Sequence, residues 1–294
     1  MATMDFVGRA GKSPREAAQW SRRQVLMTDL RSIRGRAYPR WRGLFREKSW
    51  VLFEILLPFL GTSAFVFVYR ALQAPVEYVG FAVLGGAMTA FWLNVIWMMA
   101  NQLYWEKTQG NLELYFASPM HFMSILFGMA IGGIFMSSTR AVVVITAASL
   151  LYGVQFSVDQ WAVLIVVFML TLAALYGLGM VLASLFLVWG REAWHMGQLL
   201  TEPVYFVSGL NFPVARLGFL GAVSVALIPL ATGLDAMRQL AFAGAAFPVG
   251  TPSPLVEIGI LLLMSIVSIA AARWMLLAME RRARRDGRLS VRWQ

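Results

Sequence analysis

Residues 161–189 read WAVLIVVFMLTLAALYGLGMVLASLFLVW, an apolar run without one charged side chain. A helix crossing a hydrocarbon core of about 30 Å needs roughly 20 such residues. Within lipid, a helix also satisfies every backbone hydrogen bond inside its own segment. The run reads as a membrane span, and others accompany it. Trp50 to Leu72, Tyr78 to Leu103 and His121 to Tyr152 pass the same test, as does Pro254 to Met279, which ends directly before a basic tail. The fold class is therefore an all-α integral membrane protein.

Between Arg191 and Pro252 the pattern is ambiguous. One stretch, His195 to Phe212, is interrupted by Glu202 and Pro203, while a smoother one runs from Leu217 to Leu234. Charge decides the count. Of 25 Lys and Arg, 12 precede residue 50 and six lie in the tail at Arg281, Arg282, Arg284, Arg285, Arg288 and Arg292. The positive-inside rule puts both ends in the cytoplasm, which requires an even number of crossings. One candidate then crosses and the other dips into the membrane or lies on its outer face, giving six spans. The loops this places outside, 73–77 and 153–160, hold no Lys or Arg, whereas Lys107 and Arg191 fall inside.

Composition agrees with a bilayer as solvent. The chain is 59% hydrophobic and 14% charged, with a mean hydropathy of +0.66, against about 25% charged residues in soluble domains. A net charge of +10 fits nucleic-acid binding in principle, but the cations bracket a hydrophobic middle, as orienting signals and contacts to anionic lipid headgroups do. Nucleic acid is not an expected partner; membrane lipids are. The organisation read from this is a basic cytoplasmic region at 1–49, a membrane domain at 50–279 and a basic cytoplasmic tail at 280–294. The first region holds no long apolar stretch and is expected to be retained. With no cysteine, disulfides and thiol chemistry are excluded.

Ser13 to Arg36 reads as an amphipathic helix on the inner membrane surface. Ser13, Pro14 and Glu16 supply the N-terminal signals, and Trp20, Met27 and Leu30 recur among arginines. Tyr38 to Lys48 reads as a second short amphipathic piece. The other reading is a disordered basic arm.

Candidate chemistry is sparse. Gly11, Lys12 and Ser13 end a stretch like a phosphate-binding loop, but the glycine needed five positions earlier is Phe6. No catalytic residue and no metal ligand set is expected, and His121 and His195 sit at span ends. Glu54 and Arg140 are intramembrane ionisable residues, and intramembrane charge faces a partner or a watery cavity. Glu54 also fits the headgroup level. Arg140 points to a translocation path or protomer interface, with a structural ion pair as the alternative. Gly128, Gly132, Gly133, Gly177 and Gly179 fit close helix packing. Trp92, Trp97, Tyr104, Trp105, Trp161 and Trp189 fit interfacial belts.

Residues 104–120, YWEKTQGNLELYFASPM, form a cytoplasmic loop longer than a turn between antiparallel helices requires. Leu112, Leu114, Tyr115 and Phe116 give it an apolar surface that needs something to pack against, either the body of the protein or a partner. Here Glu106, Gly110, Leu112, Glu113, Leu114, Ser118 and Pro119 resemble the E…G…LE.L…SP loop of the permease subunits of ABC-2 type ATP-binding-cassette exporters. Pro203, Ser208, Gly209, Phe212 and Pro213 resemble that family's fifth-span signature. Span number and basic ends are similar too, over about residues 35 to 280.

The resemblance implies a homodimeric permease with two copies of a cytoplasmic ATPase subunit. ATP and Mg would be bound by that partner, with no cofactor in this chain. It implies that 104–120 is an ATPase-coupling helix and that about 214–247 forms short re-entrant outer helices between spans five and six. It also implies a bacterial-type cytoplasmic membrane. The cargo class it leaves open is amphipathic, drug-like, lipid-linked or polysaccharide. Two competing readings are a membrane-embedded enzyme acting on a lipid carrier and a secondary transporter. The first would need acidic or metal-binding residues converging at one face, whereas Glu77, Asp159 and Asp235 are scattered. The second would need buried carboxylates in the central spans, which hold few.

Overall fold

A computed structural model describes residues 22–46, 48–111, 114–115, 121–189, 192–245, 247 and 251–286. The expected N-cap at Ser13 to Glu16, Trp20 and the Gly11 to Ser13 stretch lie outside the described residues. In chain order the helices are α1 (Arg22–Arg46), α2 (Lys48–Ala71), α3 (Val76–Leu93), a π-helical stretch (Asn94–Ala100) and α4 (Gln102–Thr108). They continue with α5 (Phe122–Tyr152), α6 (Trp161–Trp189), α7 (Ala193–Val207), α8 (Phe219–Leu227), α9 (Pro229–Ala241) and α10 (Pro254–Asp286). No strand forms among the described residues; an isolated bridge joins Ser157 to Phe242.

Five helical stretches are long and apolar enough to cross a membrane: 51–71, 76–108, 122–152, 161–186 and 254–279. The second is the axis of the bundle. In its apolar window 83% of residues are buried, against 22% in the first and last spans. Trp92, expected in an interfacial belt, is instead 1% exposed. It belongs to the buried core that also holds Phe91, Ile96 and Phe186, because this helix is enclosed by the rest of the bundle near that residue.

The ambiguous region resolves through its contacts. α7 has 15 residues, about 22 Å at 1.5 Å per residue, too short for the length test. It nevertheless connects the two ends of the bundle. A Cβ on Gly197 would lie 3.1 Å from the Asn101 amide, while a Cβ on Gly85 would lie 1.5 Å from the Leu210 carbonyl oxygen. α7 thus climbs beside the second span from Asn101 to Gly85. α8 and α9 meet at 103°. A Cβ on Gly233 would lie 2.1 Å from the Thr171 hydroxyl, ten residues and about 15 Å into α6. Phe242, past the other end of α9, is back at the 153–160 loop, where Ser157 N–H donates to Ala241 O at 2.9 Å. The bent pair runs in beside α6 and returns to the 153–160 loop, a path that a broken span or a re-entrant segment would take.

α1 differs from expectation. It is one helix through Pro39, not two pieces, and it runs along α5. Asp29 meets His121, Ile33 and Arg36 meet Gly128, Ala37 and Arg40 meet Gly132, and Trp41 lies edge-on to Phe135 at 5.8 Å. Gly128 and Gly132 are four apart and form the groove that admits the second helix, since a Cβ at Gly128 would lie 2.7 Å from Ile33 O. Pro39 removes the donor for the Gly35 carbonyl, and Arg36 and Arg40 anchor the helix on either side of it. α5 has 31 residues, roughly 46 Å long, so it outruns the hydrocarbon core and leaves α1 a protein surface to pack on.

Candidate functional site

At the end of the second span opposite the α2–α3 turn, α4 stops at Gln109 and Gly110, whose φ of +77° is the left-handed conformation that glycine adopts freely. Glu106, one turn earlier, is 3% exposed. A buried carboxylate is tolerable only when its oxygens are satisfied, and here four donors converge. Arg36 (2.6 Å) and Gln102 (2.9 Å) donate to Oε1, and Asn111 (2.9 Å) and the Tyr115 hydroxyl (2.7 Å) donate to Oε2. The Arg36 guanidinium also contacts the Tyr115 hydroxyl and stacks 4.8 Å from its ring centroid. Arg36, α4 and the Asn111–Tyr115 segment are thereby locked around one charge.

A second tether holds the far end of the loop. His121 donates its backbone N–H to Asp29 Oδ1 at 3.0 Å, and its ring Nδ1 lies 2.9 Å from Oδ2. Partial burial raises the Asp29 pKa, but hydrogen bonds from His121 and Ser124 outweigh it and hold the carboxyl below its ordinary value. Between the tethers, Tyr115 is turned inward, whereas Leu114 is 68% exposed. Leu112, Glu113, Phe116, Ser118 and Pro119 lie outside the described residues.

One turn along α1 from Arg36, Arg40 donates to Met129 O at 2.9 Å and to Met98 O within the π-helical stretch. Burial draws its pKa down to about 10, while Tyr176 and Glu106 act to raise it; the side chain remains a cation at neutral pH.

Higher in the bundle, Arg140 of α5 and Glu54 of α2 form an ion pair, with side-chain exposures of 3% and 18%. Arg140 is therefore neither lipid-facing nor free. Beside them the Tyr176 hydroxyl donates to Asn94 Oδ1 at 3.0 Å. Gly133 leaves room for that contact, since a Cβ there would lie 2.2 Å from the same oxygen.

The Pro203 to Pro213 motif residues build a turn at the other end. Pro203 is exposed within α7, and Ser208 and Pro213 are buried. Gly209 has φ +61°, and a Cβ there would lie 2.7 Å from Phe212 O. The turn directs its carbonyls at one side chain. Arg238 of α9, 1% exposed, donates to Gly209 O (2.7 Å), Leu210 O (2.7 Å), Phe212 O (2.9 Å) and Phe81 O (2.9 Å). Arg238 was not among the residues singled out from the sequence. Its only signal there is a lone cation in an otherwise apolar neighbourhood.

A family model of ABC-2 type transporters matches residues 39–242. The chain belongs to the ABC-2 type transporter family. No individual curated protein matches it. The matched span contains Glu106, Arg140, the whole 203–213 turn and Arg238; Arg36 stands three residues before it. An ABC-2 permease is a multi-pass transport component and not itself the catalyst.

Proposed function

We propose that this permease is the membrane half of an ATP-driven exporter, a homodimer carrying two cytoplasmic ATPase subunits that bind ATP and Mg. It makes six crossings (α2, the second span, α5, α6, α7 and α10) in a bacterial-type cytoplasmic membrane with both termini inside. Its cargo is amphipathic, drug-like, lipid-linked or a polysaccharide. The observation that carries this reading is Leu114, an exposed apolar side chain on a segment tethered at both ends to α1. A leucine held out on so constrained a base suits docking into a groove of another protein.

The residues supply a mechanical path. Force on the 104–120 segment, whose motif residues are Glu106, Gly110, Leu112, Glu113, Leu114, Tyr115, Phe116, Ser118 and Pro119, reaches Glu106 and through it the end of the second span. That span is packed on all sides and touches Leu210 at Gly85, so movement at one end reaches the Arg238-bound turn at the other. The Glu54–Arg140 pair keeps α2 and α5 moving together.

Two variants of the purified complex test the reading. Leu114→Asp should abolish ATPase pull-down while the permease inserts and melts like the parent. Tyr115→Phe, which removes a hydroxyl turned toward Glu106, should lower the melting temperature and leave ATPase binding intact. Normal complex formation and export by Leu114→Asp would remove the coupling role of this segment.

A further inference from the structure

Near the outer turn, α9 and the first turn of α10 bring two carboxyl groups together. Asp235 is 2% exposed and Glu257 is fully buried, and Gln239, one turn along α9 from Asp235, reaches across to Glu257, which sets the two carboxyls side by side. Ionised carboxylates repel each other and only accept hydrogen bonds, so a proton on one of them is what lets the two pair. The surroundings do not remove that need. Gln239 donates through Nε2 to Glu257 Oε2 (3.0 Å) and to Pro252 O (2.9 Å), which leaves Asp235 Oδ2 and Glu257 Oε1 as buried acceptors without a donor.

Arg238 is the cation acting on Asp235, and its two terminal nitrogens are committed to four backbone carbonyls. One cation faces two carboxyls, so a single added proton makes the buried group neutral. On the packed elements, Thr171 of α6 lies against Gly233 and is uncharged, and Tyr69 of α2 senses Arg238. A route to water exists. A cavity of about 320 Å³ lined by Asp159, Gln160, Gln239, Phe247 and Pro254 reaches Gln239 from the outer loops.

We propose that Asp235 and Glu257 form a proton-binding site on the outer side of the permease, where one shared proton holds α9 against α10 and its release to water opens that seam. The site is independent of the ATPase and of the 104–120 segment. It links the outer segment to the pH of the compartment it faces.

The linkage is specific. Where free carboxyls are ionised, the closed seam holds one proton more than the open one. Opening therefore becomes about tenfold more favourable per pH unit until the closed pair itself titrates. The chain contains no cysteine, so introduced thiols report cleanly. Ala236→Cys places one at a position 0% exposed beside Asp235, and Ala243→Cys places a reference at an exposed one.

The maleimide-labelling rate of the first, divided by that of the second, cancels thiol ionisation and measures opening in the full-length protein. The ratio should climb about tenfold per pH unit above about pH 5, and should become flat in both Asp235→Asn and Glu257→Gln, whose amides supply a permanent donor. If one amide variant fails to insert, the other and the parent still decide. A parent ratio that is constant or unmeasurable from pH 5 to 9 overturns the proposal. So does a slope that survives both amides, or a ratio that follows sodium or potassium concentration at fixed pH, which would mark a metal-cation site.

Discussion

Removing the Glu106 carboxylate should loosen the 104–121 segment by an amount the structure bounds. In Glu106→Ala, four donors lose their acceptor. Hydrogen bonds to charged groups contribute about 1.5–3 kcal/mol each, neutral ones about 1 kcal/mol. Truncating one member of a buried ion pair costs about 3–5 kcal/mol. Arg36 is 29% exposed on its side chain and recovers hydration, and Asn111 and Tyr115 also sit near solvent, so about 2–4 kcal/mol is the expected net loss. Hydrogen exchange reads it directly, since amides of residues 102–111 that exchange by local opening should speed up about 30- to 1,000-fold, each 1.4 kcal/mol being tenfold. Arg36→Ala should have a smaller effect, and the double variant should show about 1–3 kcal/mol of coupling. Unchanged protection at 102–111 in Glu106→Ala, or additive effects within about 0.5 kcal/mol, would refute the idea that this charge organises the segment.

Three other outcomes are expected. Arg238→Met should strand four buried carbonyls and destabilise the protein by about 3–5 kcal/mol in a detergent melt, with Arg238→Lys recovering part of the loss; a parent-like melt would remove Arg238 as the organiser of the turn. Arg140→Glu should abolish export and Arg140→Lys should retain much of it. The exchange of Glu54→Arg with Arg140→Glu should restore what the single reversal loses, and failure to do so in a stably inserted protein would show that Arg140 acts other than through its pair. Because Asp29 has a folded pKa below its unfolded one, its contribution is present above the ordinary aspartate range and is lost as pH falls through the folded value. Protection at His121 should therefore decline below about pH 4, and Asp29→Asn should remove that step.

The five long spans were legible because a long apolar run has few alternatives, whereas between Arg191 and Pro252 the short α7 and the bent α8–α9 pair leave the count at five or six by length and composition. What the sequence concealed were pairings. Glu54 and Arg140 were each conspicuous as charges in apolar surroundings, but nothing in a one-dimensional pattern states that residues 86 positions apart meet. Glu106 stood out only as a motif letter; its partner Arg36 belonged to a stretch whose many arginines all looked like lipid-facing cations. Helical periodicity identifies a polar face without saying whether water, lipid headgroups or protein lies opposite. The same limit hid the protein surface that α1 packs on, since the glycines that receive it are on α5. Arg238 was hidden for a related reason, because its acceptors are backbone carbonyls, which carry no residue-type signature.

The seven-residue π-helical stretch Asn94–Ala100 gives the second span a surplus in length. A π-bulge accommodates about one residue more than the straight helix it interrupts while leaving the flanking turns in phase. Shortening the chain by one residue within 94–100 should thus convert the stretch to a regular helix with Trp92 and Glu106 still on their present faces. The same deletion within 102–105 would rotate Glu106 by about 100°, one residue's turn, away from Arg36. This span can vary in length at its centre and not at the end that carries Glu106, so related chains that differ by one residue here should differ between Asn94 and Ala100.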